Sequence, residues 1–267
     1  MSVDAPSHVP RPRNPLSLHG KVGLVTGVAN DRSIAYGCAR AARCAGAELL
    51  LTHLDERSTP WVAPVARALD AERMTLDVAD DAQLDAVLER VNARWGKLDF
   101  VLHAMAFADK EDLHGRVADC SRGGFARMMD VSVHSFLRLA NRAEPLMRDG
   151  GALVTLSYLG AEKVVPHYNV MGLAKAALEA ATRYLAAEMA PADIRVHALS
   201  PGPVATRSAS GIGRFDELMR REQAHTPAGR LADIEDIGDA FLYLVSDAAK
   251  ATTGSVLFVD GGRHIMV

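Results

Sequence analysis

The sequence contains few cysteines and no apolar stretch long enough to cross a membrane. Cys38, Cys44 and Cys120 are the three cysteines among 267 residues, and they form neither a CxxC pair nor a cluster with histidine. This scarcity excludes a disulfide framework and favours a reducing cytoplasm. The histidines are scattered without the spacing of metal ligands, so we expect no metal site.

An excess of charge of either sign is also missing. The chain has 30 Lys and Arg against 33 Asp and Glu, which gives a net charge of −3 and a pI near 6.4. Proteins that bind nucleic acid or anionic membranes usually carry a strongly basic patch. We therefore expect small molecules or proteins as partners, and neither nucleic acid nor a membrane.

Residues 1–17 differ in composition from the rest of the chain. They are rich in proline and arginine and lack the apolar core of a signal peptide, which predicts a flexible leader. The whole sequence is 49% hydrophobic and 24% charged, values typical of a folded globular protein. We expect residues 18–267 to form a single domain.

Short apolar segments alternate with amphipathic ones along the chain. The pattern predicts strands at residues 21–27, 47–52, 74–78, 98–103, 152–157, 194–200 and 255–259. It predicts helices at 34–44, 80–95, 125–147, 168–188 and 234–246, and a polar loop at 109–124. This alternation indicates an α/β fold, a Rossmann-like three-layer sandwich with a seven-stranded parallel sheet.

The turn after the first strand has features of a dinucleotide-binding site. Gly27 ends the strand, and Ser33 is well placed to cap a helix that begins at Ile34. The backbone N–H groups of this turn could hold a pyrophosphate. Because residues 27–37 do not form a compact GxGxxG motif, an ordinary turn is equally compatible with the pattern.

The residues after the second strand would face the adenosine ribose. An acidic residue often ends this strand and binds the ribose diol. Here the end of the strand reads Thr52-His53-Leu54-Asp55-Glu56-Arg57, so the first position past it is not acidic. Asp55, Glu56 and Arg57 are the candidates for binding the ribose. The choice between NAD and NADP therefore stays open from these residues alone.

Other segments follow predicted strands and so meet at the same sheet edge. Asp77, with Val78 packed nearby, could accept a hydrogen bond from an adenine amino group or simply cap the next turn. Small residues around Met105 would let a flat ring approach the backbone. Residues 204–206 could bind a nicotinamide carboxamide, and 209–230 suit either a mobile substrate cover or a plain surface excursion.

Residues 157–175 hold two tyrosines and a lysine. Tyr158 follows the fifth strand, whereas Tyr168 is predicted in the first turn of a helix and Lys175 two turns further along. Seven residues return almost to the same helix face, so the phenol and the ammonium could converge on one ligand. A buried cation there would lower the pKa of Tyr168 towards a value useful for proton donation. The same spacing also occurs on ordinary amphipathic helices.

The order of these features resembles the short-chain dehydrogenase/reductase superfamily from about residue 18 to the C terminus. The features are the Gly27 turn, Asp77-Val78, the tyrosines and lysine, Pro201-Gly202-Pro203 and Asp260-Gly261-Gly262. Residues 156–162 and 168–175 resemble the bacterial enoyl-[acyl-carrier-protein] reductases of fatty-acid synthesis in particular. The commoner superfamily pattern has a tyrosine four residues before the lysine, and Met171 occupies that place here.

The resemblance implies NADH-dependent reduction of the trans-2 double bond of an enoyl thioester on acyl carrier protein, by a cytoplasmic homotetramer. Tyr168 would stabilise the enolate at the thioester carbonyl, Lys175 would hold the nicotinamide ribose, and Tyr158 would position the substrate. Ala108 would approach the substrate through its backbone. The residues implied around the cofactor are Gly27, Ser33, Ile34, Leu54, Asp77, Val78, Met105, Lys175, Val204, Ala205, Thr206, Arg207 and Ser208.

The chain departs from the family pattern at three places. After the fourth strand it has Ala104-Met105-Ala106 in place of a Ser-Ile-Gly type run, and past the second strand it has Leu54 in place of a Gln-like residue. The family carries basic residues near the pocket mouth, where the acidic carrier protein would dock. Here the basic residues are Arg214, Arg220 and Arg221, which also suit a solvated helix face.

These departures leave several alternatives open. The cofactor could be NADPH, and the substrate could be a coenzyme A ester. A reductase or dehydrogenase of the same superfamily that acts on another activated alkene or carbonyl is a second interpretation. A non-catalytic protein that senses a dinucleotide is a third.

Overall fold

A computed structural model of the chain describes residues 14–206 and 215–266. The strands are β1 (Val22–Val25), β2 (Glu48–His53), β3 (Glu72–Thr75), β4 (Phe100–His103), β5 (Gly151–Leu156), β6 (Ile194–Pro201) and β7 (Val256–Val259). The α-helices in the described ranges are α1 (Ile34–Cys44), α2 (Thr59–Ala68), α3 (Asp81–Trp95), α4 (Lys110–His114), α5 (Arg122–Met129), α6 (Ser135–Ala143), α7 (Val170–Met189), α8 (Phe215–His225) and α9 (Ile234–Val245).

The strands form one parallel sheet in the order β3-β2-β1-β4-β5-β6-β7, which confirms the predicted seven-stranded fold. Leu24 of β1 pairs with Leu50 of β2 on one side and with Val101 of β4 on the other. From the boundary between β1 and β4, the chain thus adds β2 and β3 on one side of the sheet and β5, β6 and β7 on the other. A crevice opens at such a switch point, at the carboxyl ends of the strands.

The sheet is covered by helices on both faces, which makes the three layers. Successive strand residues point to opposite sides, so Leu24 lies in one core and Val25 in the other. Helices α3, α6 and α7 cover the Leu24 face, and α1, α2 and α9 cover the Val25 face. Burial on both faces explains why the strands read as continuous apolar runs.

Glycines allow α1 and α9 to cross in close contact. A Cβ on Gly37 would lie 2.2 Å from the carbonyl oxygen of Ile234, and one on Gly238 would lie 2.6 Å from the carbonyl oxygen of Gly37. These neighbours are backbone atoms, which have no rotamer with which to move aside. Any larger residue would therefore separate the two helices.

The prediction of one continuous helix at 125–147 is wrong. Helix α5 begins earlier, at Arg122, and a π-helical turn at Asp130–His134 separates it from α6. Ser132 in this turn donates a hydrogen bond to the carbonyl of Phe107 and accepts one from the Phe107 N–H. The turn therefore anchors the segment that follows β4, a tertiary interaction that apolar spacing does not reveal. Insertions of this kind are frequent at functional sites.

The prediction of an irregular loop at 109–124 is also wrong in part. Helix α4 and a 3-10 turn at Val117–Asp119 lie within it. The buried Asp112 carboxylate accepts hydrogen bonds from the backbone N–H and the hydroxyl of Ser121. This carboxylate organises a polar segment that has little apolar periodicity of its own.

The predicted domain limits stay a prediction. Leu18 is buried and its N–H donates to the carbonyl of Ala45, so the fold includes the position at which we expect the domain to begin. Within the described ranges, no helix is both long and apolar enough for a transmembrane span.

We expect Gly238→Ala to lower the free energy of unfolding by about 1–3 kcal/mol, because the added methyl overpacks the α1–α9 crossing. Urea denaturation followed by circular dichroism measures the change. Gly123→Ala is the matched control, since a Cβ there meets nothing within 4 Å and alanine favours a helix. Equal stability of Gly238→Ala and the parent protein would contradict the prediction.

Candidate active site

The turn after β1 and the segment after β4 are in close backbone contact beside the switch point. Gly27 has φ +77°, and a Cβ on it would lie 2.2 Å from the carbonyl oxygen of Ala104 and 3.1 Å from Cγ of Met105. Thr26 joins the same strands, because its hydroxyl donates to the carbonyl of Leu102 at 2.8 Å. Only glycine fits here, and the two predicted cofactor contacts Gly27 and Met105 are neighbours.

Ser33 caps helix α1 as predicted. Its side-chain oxygen accepts a hydrogen bond from the N–H of Tyr36 at 3.3 Å, and its hydroxyl donates to the carbonyl of Asn30 at 2.8 Å. Ile34 is the first helical residue, so the positive end of the helix dipole lies at the turn after β1. The arrangement suits an anionic group, and the pyrophosphate contact stays a prediction.

A cavity of about 350 Å³ lies beyond the carboxyl ends of β2 and β3. Its lining comprises Leu54, Asp55, Glu56, Thr75, Asp77 and Gln83. Leu54 is 61% exposed, which leaves its apolar side chain available to cover a flat ring. Three carboxylates at one cavity give it a negative potential.

The structure bears on the two alternatives that the sequence left open for Asp77. One carboxylate oxygen accepts from the N–H of Ala79 at 3.0 Å and so caps the next turn. The residue also lines the cavity, and its own N–H donates to the side-chain oxygen of Gln83 at 2.9 Å. Val78 beside it is buried in the core. The geometry is compatible with an adenine contact at Asp77.

The remaining predicted contacts are distributed along the same edge. Ala108 packs against the apolar cluster around Tyr168, and Val204 packs against the core on the α9 side of the sheet. Thr206 closes a tight turn, its N–H donating to the carbonyl of Val204 at 2.7 Å. Ala205 between them is exposed. The predicted contacts Arg207 and Ser208 lie outside the described residues, as does Arg214.

The two tyrosines of the segment 157–175 are in contact. The ring centroids of Tyr158 and Tyr168 are 4.8 Å apart, and the planes meet at 61° in an edge-to-face arrangement. Tyr168 is 9% exposed and packs among Met128, Val133 and Met171. The sequence pattern separated these rings by ten positions, and the fold brings them together because both follow the end of β5.

Tyr168 lies before helix α7 and not in its first turn, so that prediction is wrong. Helix α7 begins at Val170, because His167 (φ +67°) and Asn169 (φ +42°) on either side of Tyr168 have backbone conformations that no α-helix contains. Pro166 sets the second position of a turn that the N–H of Tyr168 closes by donating to the carbonyl of Val165. The seven-residue helical spacing therefore does not describe the Tyr168–Lys175 pair.

The predicted lowering of the Tyr168 pKa is wrong as well. Burial raises the pKa of the Tyr168 phenol well above its ordinary value, and the neighbouring Tyr158 adds to that effect. Burial likewise raises the pKa of Tyr158. A phenol that stays neutral at every physiological pH acts as a hydrogen-bond donor and not as a phenolate.

Lys175 is a buried cation at the end of β5. The residue is 6% exposed, and its ammonium donates to the carbonyl of Leu156 at 2.7 Å. Burial lowers the pKa of Lys175 to about 8, and the charge of Glu179 acts in the opposite direction. The hydrogen bond attaches α7 to the sheet edge, and the ammonium has further donors for a ligand.

Sequence reasoning missed Ser157 and Glu179. The hydroxyl of Ser157 donates to a carboxylate oxygen of Glu179 at 2.5 Å, and burial raises the pKa of Glu179. Glu179 lies four residues after Lys175, on the same helix face, and this spacing was a signal available in the sequence. The contact between β5 and α7 beside Tyr158 is visible only in the fold.

His103 at the end of β4 is structural. Its two ring nitrogens lie 2.9 Å from the hydroxyl of Thr155 and 2.8 Å from that of Ser135. Burial lowers the pKa of His103 to about 3, and the nearby Lys175 cation adds to this, so the ring is neutral. Among the described residues, no group of three acidic, histidine or cysteine side chains is arranged to hold a metal.

The chain is similar to known proteins over most of its length. A family model described as enoyl-(acyl carrier protein) reductase matches residues 27–264. An enoyl-[acyl-carrier-protein] reductase [NADH] of Rhizobium meliloti is 50% identical over 248 residues, 92% of this chain and 91% of the relative.

Solved structures agree with that match. The enoyl-(acyl-carrier-protein) reductase of Anaplasma phagocytophilum in complex with NAD is 46% identical, with a TM-score of 0.89 over 93% of this chain and 95% of the other. The Bacillus cereus enoyl-acyl carrier protein reductase with NADP+ and indole naphthyridinone is 41% identical, with a TM-score of 0.91 over 94% and 98%.

The sheet order and the buried tyrosine and lysine at its edge define a dinucleotide-dependent oxidoreductase of the short-chain dehydrogenase/reductase superfamily. The family match covers most of the chain, and the relatives are similar over nearly their whole length. The chain belongs to the enoyl-[acyl-carrier-protein] reductase family.

We expect Lys175 to titrate near its lowered pKa of about 8, because burial disfavours its charged form. Glu179→Gln should lower this pKa further, since it removes the negative charge that stabilises the ammonium. NMR of protein with isotope-labelled lysine side chains measures the titration directly. Glu188→Gln, an exposed position on the same helix, should leave the midpoint unchanged. A Lys175 midpoint at the ordinary lysine value would contradict the prediction.

Proposed function

We propose that this chain reduces the trans-2 double bond of an enoyl thioester on acyl carrier protein with NADH, a step of fatty-acid elongation. The observation that carries the proposal is the contact between Tyr168 and Tyr158, with Met171 in the place of the commoner superfamily tyrosine. An enoyl reductase delivers hydride to the β-carbon while charge develops on the thioester oxygen. That oxygen is displaced from the hydride-accepting carbon, so the donor must be displaced as well.

Three features of the sheet edge support the binding of a dinucleotide. The cavity beyond β2 and β3 is of a size for an adenosine moiety, the capped start of α1 suits the pyrophosphate, and Lys175 at the end of β5 would hold the nicotinamide ribose. NADH, when bound, supplies the hydride.

The residues of the chain stabilise the charge that the hydride creates. The neutral Tyr168 phenol donates a hydrogen bond to the thioester oxygen as it becomes an enolate oxygen, and its burial strengthens that bond. Lys175 binds the nicotinamide ribose through its ammonium and adds positive charge near the developing anion. Tyr158 packs edge-on against Tyr168 and limits where the thioester can lie. The α-carbon then takes a proton from solvent.

We expect Tyr168→Phe to lower kcat by about 10²–10³-fold with little change in the affinity for NADH, since one oxyanion donor is removed. Steady-state loss of NADH absorbance with a crotonyl or longer enoyl thioester measures kcat, and fluorescence titration measures cofactor affinity. Tyr243→Phe, a tyrosine on α9, is the control for loss of a phenol elsewhere.

The substrates used in this assay distinguish the alternatives. Turnover only with coenzyme A esters would show that the substrate is a coenzyme A ester and not a carrier-linked thioester. Turnover only with another alkene or carbonyl would show that the protein is a different reductase. Tight NADH binding without turnover of any of them would indicate a dinucleotide sensor. Full activity of Tyr168→Phe would contradict the donor role of this residue.

The acidic cavity favours a cofactor without a 2′-phosphate. Asp55, Glu56 and Asp77 line it, whereas Arg57 lies outside the lining. A 2′-phosphate would add a charge of about −1.5 to −2 beside them. We expect kcat/KM with NADH to exceed that with NADPH by at least about tenfold, which corresponds to ~1.4 kcal/mol.

Initial rates with both cofactors test this preference. Glu56→Gln should narrow the NADH to NADPH ratio, because it removes one of the repelling charges. Glu89→Gln on the exposed side of α3 is the control and should leave the ratio unchanged. Equal use of NADPH by the parent protein would contradict the electrostatic argument.

Docking of the carrier and assembly of subunits complete the proposal. A cavity of about 420 Å³ is lined by Lys163, Arg221 and Arg263 together with Glu217 and Glu222, and Arg263 is paired with Glu222 at 2.7 Å. We propose Lys163 and Arg221 as the basic contacts for an acidic carrier. The proposal keeps the cytoplasmic homotetramer that the family resemblance implies.

A further inference from the structure

The backbone of Tyr168 is held by two consecutive turns. Its N–H closes the turn from Val165 by donating to that carbonyl at 3.1 Å, and its own carbonyl closes the next turn by accepting from the N–H of Met171 at 3.1 Å. The residues on either side, His167 and Asn169, both have positive φ although neither is glycine. Strain of this kind persists only where surrounding contacts enforce it.

Asn169 makes the contacts that enforce the second turn. Its side-chain nitrogen donates to the carbonyl of Leu113 at 2.8 Å and to that of Gly115 at 2.9 Å. These two carbonyls lie at the end of helix α4, where the helix itself supplies no donor for the last carbonyl groups. One amide thus satisfies two backbone acceptors and joins the turn of Tyr168 to a separate element.

The joined element lies at the rim of the site. Leu113 and Ala108, at the two ends of the α4 segment, pack in the same apolar cluster as Tyr168. On its other side, the Tyr168 ring lies against Gly160, where a Cβ would be 2.5 Å from Cδ1 of the ring. The ring is therefore confined by packing on one side, while Asn169 ties its backbone to α4 on the other.

We propose that Asn169 is a positioning residue, whose side-chain amide holds the Tyr168 turn against helix α4 and thereby aims the phenol at the thioester oxygen. The inference rests on the proposed role of Tyr168 and adds what fixes that donor in place. A donor fixed before the reaction needs no reorganisation when charge develops, so its placement affects kcat more than substrate binding.

Two variants distinguish the effect of the Asn169 side-chain amide from the effect of its backbone conformation. Asn169→Asp keeps the shape of the side chain, but it places an acceptor against two carbonyl oxygens. Asn169→Gly relieves the backbone strain and removes the amide, so it is expected to fold. We expect each to lower kcat by about 10- to 100-fold, with KM for NADH and for the thioester changed by less than about threefold.

The test of mechanism is a double-mutant cycle with Tyr168→Phe. If Asn169 acts through the phenol, adding Asn169→Asp to Tyr168→Phe should change kcat by less than about twofold. The same loss of kcat in both backgrounds would overturn the inference, as would a rise in KM for the thioester at constant kcat. Asp193→Gly, which removes another positive-φ residue remote from the site, should leave kcat unchanged.

The outcomes also separate this inference from the proposed function. Wild-type turnover by Tyr168→Phe would overturn the donor role itself. A loss of turnover in Tyr168→Phe together with wild-type kcat in both Asn169 variants would overturn only the positioning role.

Discussion

The hydrogen bond from the Lys175 ammonium to the Leu156 carbonyl is the interaction on which the site depends. It attaches helix α7 to the end of β5 and so brings together the two segments that carry Tyr168 and Tyr158. The cost of burying a cation is offset by this bond and by the charge of Glu179. A neutral residue at this position would leave the sheet edge without that charge.

Burial shifts the pKa values of the titratable side chains around Lys175. It raises the pKa values of both tyrosines and of Glu179, and it lowers that of Lys175 to about 8. Tyr168 consequently stays neutral at physiological pH, and a pKa of about 8 makes Lys175 a group whose charge changes close to that pH. In the proposed reaction, the Tyr168 phenol would stabilise the developing anion as a neutral hydrogen-bond donor, so no phenolate is needed.

Much of the fold was predictable because its signals are local. The apolar strands and the Ser33 cap depend on residues close in sequence. The π-helical turn and helix α4 were not predictable, since Ser132 and Asp112 stabilise them through contacts with partners 25 and 9 residues away. Asn169 belongs to the same group, because its two acceptors lie more than 50 residues earlier.

The sequence alone determined the parallel α/β class and the order of the residues that meet at the sheet edge, because periodicity and turn residues act over short distances. It also showed that Met171 occupies the position at which the commoner superfamily pattern has a tyrosine. Only the tertiary structure decided that Tyr168 stands before its helix, between two strained residues, with a pKa that is raised and not lowered. Desolvation and long-range hydrogen bonds produce these properties, and both depend on which distant groups the fold brings into contact.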